Sequence, residues 1–204
     1  GQLKVIVDAV AAASFQIQIL WHDWDFLWSQ YSSTTSIGTR APALQKPTDL
    51  NVWDRNSFYL DYTSDTNYRL EDYDYIAYRD NYRQGVATNS TPVYVIIQPD
   101  QNIILDPPPD AVHTITADYW KTPAALTGNT DIPDIPPQYH RAVVARAKTM
   151  WAEREEAPEI LLSASAEYQD LLDKLESNSL SGQEGRRRAG GTTVNSSVIA
   201  VRPE

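Results

Sequence analysis

The period of the apolar residues changes twice along this chain, and that change restricts the available folds more than any other feature. In residues 3–20, Leu3, Ile6, Val7, Val10, Ala13, Ile17 and Leu20 recur at helical spacing, which predicts one amphipathic helix. Partial alternation follows at 51–53 and 58–62, then apolar runs at 93–97 and 102–105, and alternation again over 112–120, all of which predict strands. Leu70, Tyr73, Ile76 and Ala77 interrupt this with helical steps, and Gly85 stands where a helix would stop, so residues 70–84 are expected to be a helix inside the β region. The turn Pro107-Pro108-Pro109-Asp110 is expected to close a β-hairpin between the last two strands. Residues 29–47, rich in Ser and Thr with Gly38 and two prolines, are expected to be a loop or a hairpin arm.

Helical spacing then returns. Pro136 and Pro137 suit a helix start, and Tyr139, Val143, Ala147, Met150 and Trp151 form a stripe. Pro158 ends that helix and can begin another, with Leu161, Ala164, Tyr168, Leu171, Leu172 and Leu175 on one face. The fold class that follows is α+β: a helical bundle from residues 1–28 and 136–178, a β-rich insertion at 29–135, and an extended tail at 179–204. In the bundle, Trp21, Trp24, Phe26, Leu27 and Trp151 are expected to form a structural plug.

The tail has no local use in a closed core. It carries Gly182, Gly185, Gly190 and Gly191, then an alternating segment with Val194, Val198, Ile199 and Val201. Loose spacing followed by a strand-like run suits a chain that reaches a neighbour and adds a strand to its sheet. Val198, Ile199 and Val201 are therefore candidate contacts with a neighbour or partner, and Arg186, Arg187 and Arg188 candidate charge anchors. The chain carries a net charge of −10, and residues 181–204 contribute +2, so the rest stands at −12. A body of that sign does not bind a phosphate backbone, whose affinity rests on cations displacing counterions.

Chemistry is poorly represented. No cysteine is present, which excludes disulfides, thiolate metal sites and a cysteine nucleophile. Neither a leader nor a membrane span is expected, and the chain reads as soluble. His22 lies beside Asp23 and Asp25, but neighbours on a helix diverge and do not converge on one ion. His113 and His140 lack metal-ligand spacing, and no phosphate loop, nucleophile elbow or dinucleotide fingerprint occurs. The expectation is no enzyme, no cofactor and no metal. Tyr75, Tyr78 and Tyr82 step by three and four, and packing explains them better than a sugar platform.

Taken in order, Trp24-Asp25-Phe26-Leu27, Ile103 to Leu105 with the prolines after them, Thr114 to Trp120, Ile132 to Pro136, Tyr139-His140, the Ala-rich helix to Trp151, and Tyr168, Leu172 and Leu175 resemble the head-tail adaptor (connector) proteins of tailed bacteriophages. The resemblance spans most of residues 3–175 and stops before the tail. It implies a structural virion protein at the head-tail interface, assembled in the bacterial host cytoplasm. It also implies a homo-oligomeric ring, usually of twelve copies, beneath the portal protein. Such a ring extends the DNA channel, meets a downstream tail, stopper or terminator protein, passes DNA without sequence-specific binding, and involves no membrane. C-terminal segments in such adaptors commonly dock on the portal. Two other classes are open on the residues: a carbohydrate-binding or host-recognition module of a phage tail, with exposed Trp53, Tyr59, Tyr62 and Trp120 as stacking platforms, and a hydrolase built on His22 and Asp25.

Overall fold

A five-stranded antiparallel sheet, a three-stranded mixed sheet and a helix pair frame the computed structural model, which describes residues 2–40, 44–63, 66–81, 85, 87–128 and 130–180. The order is α1 (Gln2–Ile19), β1 (Trp28–Thr34), β2 (Leu50–Trp53), β3 (Tyr59–Thr63), β4 (Thr66–Arg69), β5 (Glu71–Asp72), α2 (Tyr75–Asn81), β6 (Tyr94–Ile97), β7 (Ile103–Asp106), β8 (Thr114–Lys121), α3 (His140–Arg154) and α4 (Pro158–Leu180). The architecture is mixed α+β, as the periodicity implies. The chain divides into two compact units, one from Gly1–Ala13 with Pro136–Glu204 and one from Ser14–Ile135.

In the second unit β8 is the spine. It pairs with β1 along one edge, and on the other with β3 and then β2, while β4 extends β3. Where β3 gives way to β2, the Ser57 hydroxyl accepts the Asp118 N–H at 2.7 Å and donates to the Asp54 carbonyl at 2.7 Å, closing the gap in the ladder. A second sheet holds β5, β6 and β7. Residues of both sheets share one core: Leu60, Ile115, Ala117 and Tyr119 from the first, Val95, Ile97, Ile103 and Leu105 from the second, with Trp53 and Phe58. On the other face of the second sheet, Ile96 and Ile104 pack with Tyr78 of α2. Because β6 and β7 are covered on both faces, they read as continuous apolar runs instead of alternating ones.

Several expectations are corrected here. The triple proline does not close a hairpin, for β7 pairs with β6 and β8 lies in the other sheet. Proline cannot donate to a ladder; instead the Pro108 and Pro109 carbonyls accept from the backbone N–H groups of Ser90 and Gly38. The helix expected at 70–84 begins only at Tyr75, because Asp74 caps the Ile76 and Ala77 N–H groups. Ahead of it, Glu71 and Asp72 pair in parallel with Tyr94 and Val95. The expected loop or hairpin arm at 29–47 begins with β1, a strand of seven pairs. In α1, Ala13 and Ile17 are buried but Ile6 and Val7 are exposed, as is Leu20 just after it, and polar Ser14 and Gln18 are buried instead. Gln18 donates to the Ser14 hydroxyl and carbonyl one turn back, which satisfies its buried amide nitrogen.

In the first unit α3 and α4 form the expected antiparallel pair. Small residues, Ala142, Ala145 and Ala152, are buried along α3, and Leu172 and Leu175 along α4. Tyr139 is bonded by Asn178, Arg141 pairs with Glu167, and the Arg146 guanidinium lies over the Tyr168 ring, 5.6 Å from its centroid. Glu156 takes φ 53° in the turn between them, and the Ala157 N–H reaches the Ala152 carbonyl at 3.0 Å, a Schellman closure. A left-handed conformation costs a side-chain-bearing residue about 1 kcal/mol, so Glu156→Gly should stabilise the protein by about 0.5–1 kcal/mol and raise Tm by a few degrees in a thermal melt.

Before α3 the Asp131 carboxylate accepts from the Thr127 and Gly128 N–H groups, each at 2.7 Å, and from the Thr127 hydroxyl at 3.2 Å. Those bonds, the Gly128 N–H foremost, hold its pKa below the ordinary value. A side chain at 128 would put its Cβ 3.1 Å from Asp131 Oδ1, so glycine fits the close approach. A lowered folded pKa means the loop's stabilisation is present above the unfolded pKa and is lost as pH falls through the folded one. In an acid titration followed by NMR, the Thr127 and Gly128 amide signals should therefore move with a midpoint below the peptide value of about 3.9.

Candidate assembly surfaces

Arg186, Arg187, Arg188, Val198, Ile199 and Val201 lie outside the described residues. Of the aromatic segment after α1, Trp24 and Leu27 are fully buried and Trp24 stacks on Phe26 at 5.2 Å between centroids, while Phe26 is half-buried and Trp21 exposed. A short 3-10 turn, Asp25–Leu27, delivers Leu27 inward and leads directly into β1. Trp151 is half-buried on α3, in the other unit.

His22 is exposed and meets Trp120 edge-on at 6.5 Å between centroids. His113 is buried, 3.4 Å from an Asp110 carboxylate oxygen. Among the described residues no group of three or more His, Cys, Asp or Glu is placed to hold a metal ion, and no described helix is long and apolar enough to cross a membrane.

The proposed sugar platform is corrected by burial. Trp53 is 4% exposed and Trp120 7%, so neither offers a face to a ligand. Trp53 instead contacts Tyr31, Phe58 and Tyr119 at 5.2–5.7 Å between centroids, and its indole N–H donates to the Gln101 carbonyl. Tyr59 is exposed, and the Tyr62 side chain lies outside the described residues. Tyr78 is buried against Ile96 and Ile104, and Tyr75 packs beside it. Tyr119, hydrogen-bonded to Asp49 at 3.0 Å, has its pKa raised by burial.

Several large apolar side chains are left uncovered. Ile6, Val7, Phe15, Ile19 and Leu20 are exposed along α1 and just after it, and Trp21 follows them. Within the helical unit, Ile6, Ala9 and Val10 face Val144, Ala147, Lys148 and Trp151 across an open cleft of about 280 Å³. Exposed apolar surface of this kind marks an interaction surface more often than a single stray side chain does. The sequence did contain its signal: α1 has more apolar positions than one buried face can use. Residues 14–135 carry sixteen Asp and Glu against seven Lys and Arg.

A protein-family model described as "SU10 adaptor protein" matches residues 2–196, nearly the whole chain, and so continues past Leu180 into the segment that the resemblance left out. Nothing among the curated proteins matches the chain.

Proposed function

The chain belongs to the SU10 adaptor protein family and is thus a bacteriophage structural adaptor and virion component, and on that premise we propose that it joins capsid to tail as a homo-oligomeric ring of twelve copies beneath the portal, extending the DNA channel. In this reading it is structural and not enzymatic. Its helices form the ring body, the β unit makes lateral and tail-side contacts, including those to a stopper or terminator protein, and the tail links the ring to the portal. Within the tail, Arg186, Arg187 and Arg188 serve as charge anchors, and Val198, Ile199 and Val201 as strand-forming contacts with the portal or a neighbouring copy.

The observation that carries the reading is the apolar surface a lone chain leaves in water: Ile6, Val7, Phe15, Ile19 and Leu20 exposed along α1 and just after it, and an apolar cleft within the helical unit. Closed rings bury such patches on every copy through one repeated contact. The acidic charge supports the channel role, since a carboxylate-rich lumen repels DNA weakly and lets it slide. Native mass spectrometry of this protein mixed with the portal of the same particle tests the proposal. A complex with a fixed, ring-sized number of copies supports it, and persistent monomer beside an intact portal rejects it.

A further inference from the structure

Among the described strands β1 is the one open edge that nothing guards. It ends the five-stranded sheet and runs through seven antiparallel pairs with β8, Trp28↔Trp120 to Thr34↔Thr114, without a register shift. Its sequence, Trp-Ser-Gln-Tyr-Ser-Ser-Thr, holds no proline and no charged residue. Natural edges are blunted by charge, proline, bulges, shortness or cover. The other open strands show these devices: β4 is four residues long with Arg69 and a register break beside it, β2 has a register break after Leu50, β5 is two charged residues, and Leu44 bridges to Ile103 on β7.

The hydrogen-bond phase of the edge is fixed. Thr35 donates its N–H to the His113 carbonyl at 2.9 Å. Alternation then turns the backbone groups of Ser29, Tyr31 and Ser33 toward β8 and those of Gln30, Ser32 and Thr34 outward. A row of donors and acceptors is thus presented beside side chains that are themselves exposed at 30, 32 and 34.

We infer that this edge is the docking site for residues 194–201 of a second copy of the chain, which add a strand beside β1; the inference rests on the reading of the chain as a self-assembling adaptor. Three observations choose that occupant. Residues 194–201 are eight uncharged, proline-free residues with Val194, Val198, Ile199 and Val201, close in length to the seven of β1. The thirteen residues at 181–193 hold four glycines and separate this segment from α4, a spacer of about 20 Å as a flexible coil and about 45 Å fully extended. Charge complements the geometry: the Arg186-Arg187-Arg188 run lies in that spacer, and the β unit bearing the acceptor edge carries sixteen carboxylates against seven cations. Such complementarity speeds encounter and selects the partner. Backbone pairing supplies the affinity, and alternate side chains set the register.

The absence of cysteine makes labelling simple. Spin labels at Thr34→Cys in one preparation and Ser197→Cys in another, mixed alone and with the portal, should give an intermolecular distance within about 20 Å, the strand spacing plus uncertainty in register. Ser32→Pro removes an outward N–H and no bond to β8, so it should leave the thermal melt cooperative and lower the close-distance population about tenfold. Gln30→Lys with Ser32→Lys guards the edge by charge and should give the same loss if the proline variant does not fold. A short distance seen only within doubly labelled single chains, or none in either mixture, overturns the inference. A portal complex that forms without the short distance overturns this strand pairing and leaves the adaptor reading standing, whereas failure of the portal complex itself tells against that reading.

Discussion

A chain ending at Leu180 should unfold with the cooperativity of the full protein and lose its complex with the portal. α4 ends at Leu180 with Ser179 and Leu180 buried, so the packed helix pair is complete before the cut. Removing residues 181–204 therefore deletes no packed side chain of the described core. It does delete the Arg186-Arg187-Arg188 run and the uncharged segment at 194–201. If the tail joins copies to one another or to the portal, loss of a strand's worth of backbone bonds together with three cations should weaken the portal complex by at least about a hundredfold. Arg186, Arg187 and Arg188 changed together to alanine should slow association and flatten its salt dependence with less effect on dissociation. Surface plasmon resonance over a salt series separates the two effects. Unchanged portal binding by the truncated chain would reject the role given to the tail.

The second large effect belongs to the core. Trp53→Ala should cost about 3–5 kcal/mol, roughly a fifth or more of what a domain this size commonly has. The indole is 4% exposed and meets three other rings, Tyr31, Phe58 and Tyr119. Its N–H donates to the Gln101 carbonyl at 3.0 Å, so alanine removes ring contacts and a bond together. Phenylalanine keeps part of the packing and loses the bond, and should cost less than half as much. Urea titrations of both variants decide it: the midpoint should fall in the order wild type, Trp53→Phe, Trp53→Ala with little change in slope. A small loss for Trp53→Ala would mean that the aromatic cluster is not what holds the two sheets together. It would also return Trp53 to the set of residues free to serve a surface role.

The helical half of the fold was readable because its cues are local. Pro158 begins α4, and the Tyr139-to-Trp151 stripe lies on the Pro137–Tyr139 turn and α3. The strands with strong apolar content, β3, β6 and β7, also stood within a residue or two of their expected places. β1 was missed because its Ser, Gln and Thr show no apolar alternation; its residues are half-buried or exposed throughout, and pairing with β8 some 86 positions away holds it in place. The false hairpin at Pro107 had the opposite cause. Two good strands and a turn were adjacent in sequence, yet β7 bonds to β6 and β8 to β1, β2 and β3. The aromatic residues divided in the same way: composition marked them as surface candidates, and burial placed Trp53 and Trp120 inside.

Sequence by itself determined the class, the helix pair, the acidic balance and the separation of a glycine-spaced tail from the rest. These depend on spacing within a turn or a strand, or on counting charges, and need no partner across the molecule. Only the tertiary structure decided which sheet each strand enters, which face of α1 is left in water, and that β1 is an open edge. Those are outcomes of pairing between distant segments, where many backbones of equal hydrogen-bonding capacity compete and packing selects among them.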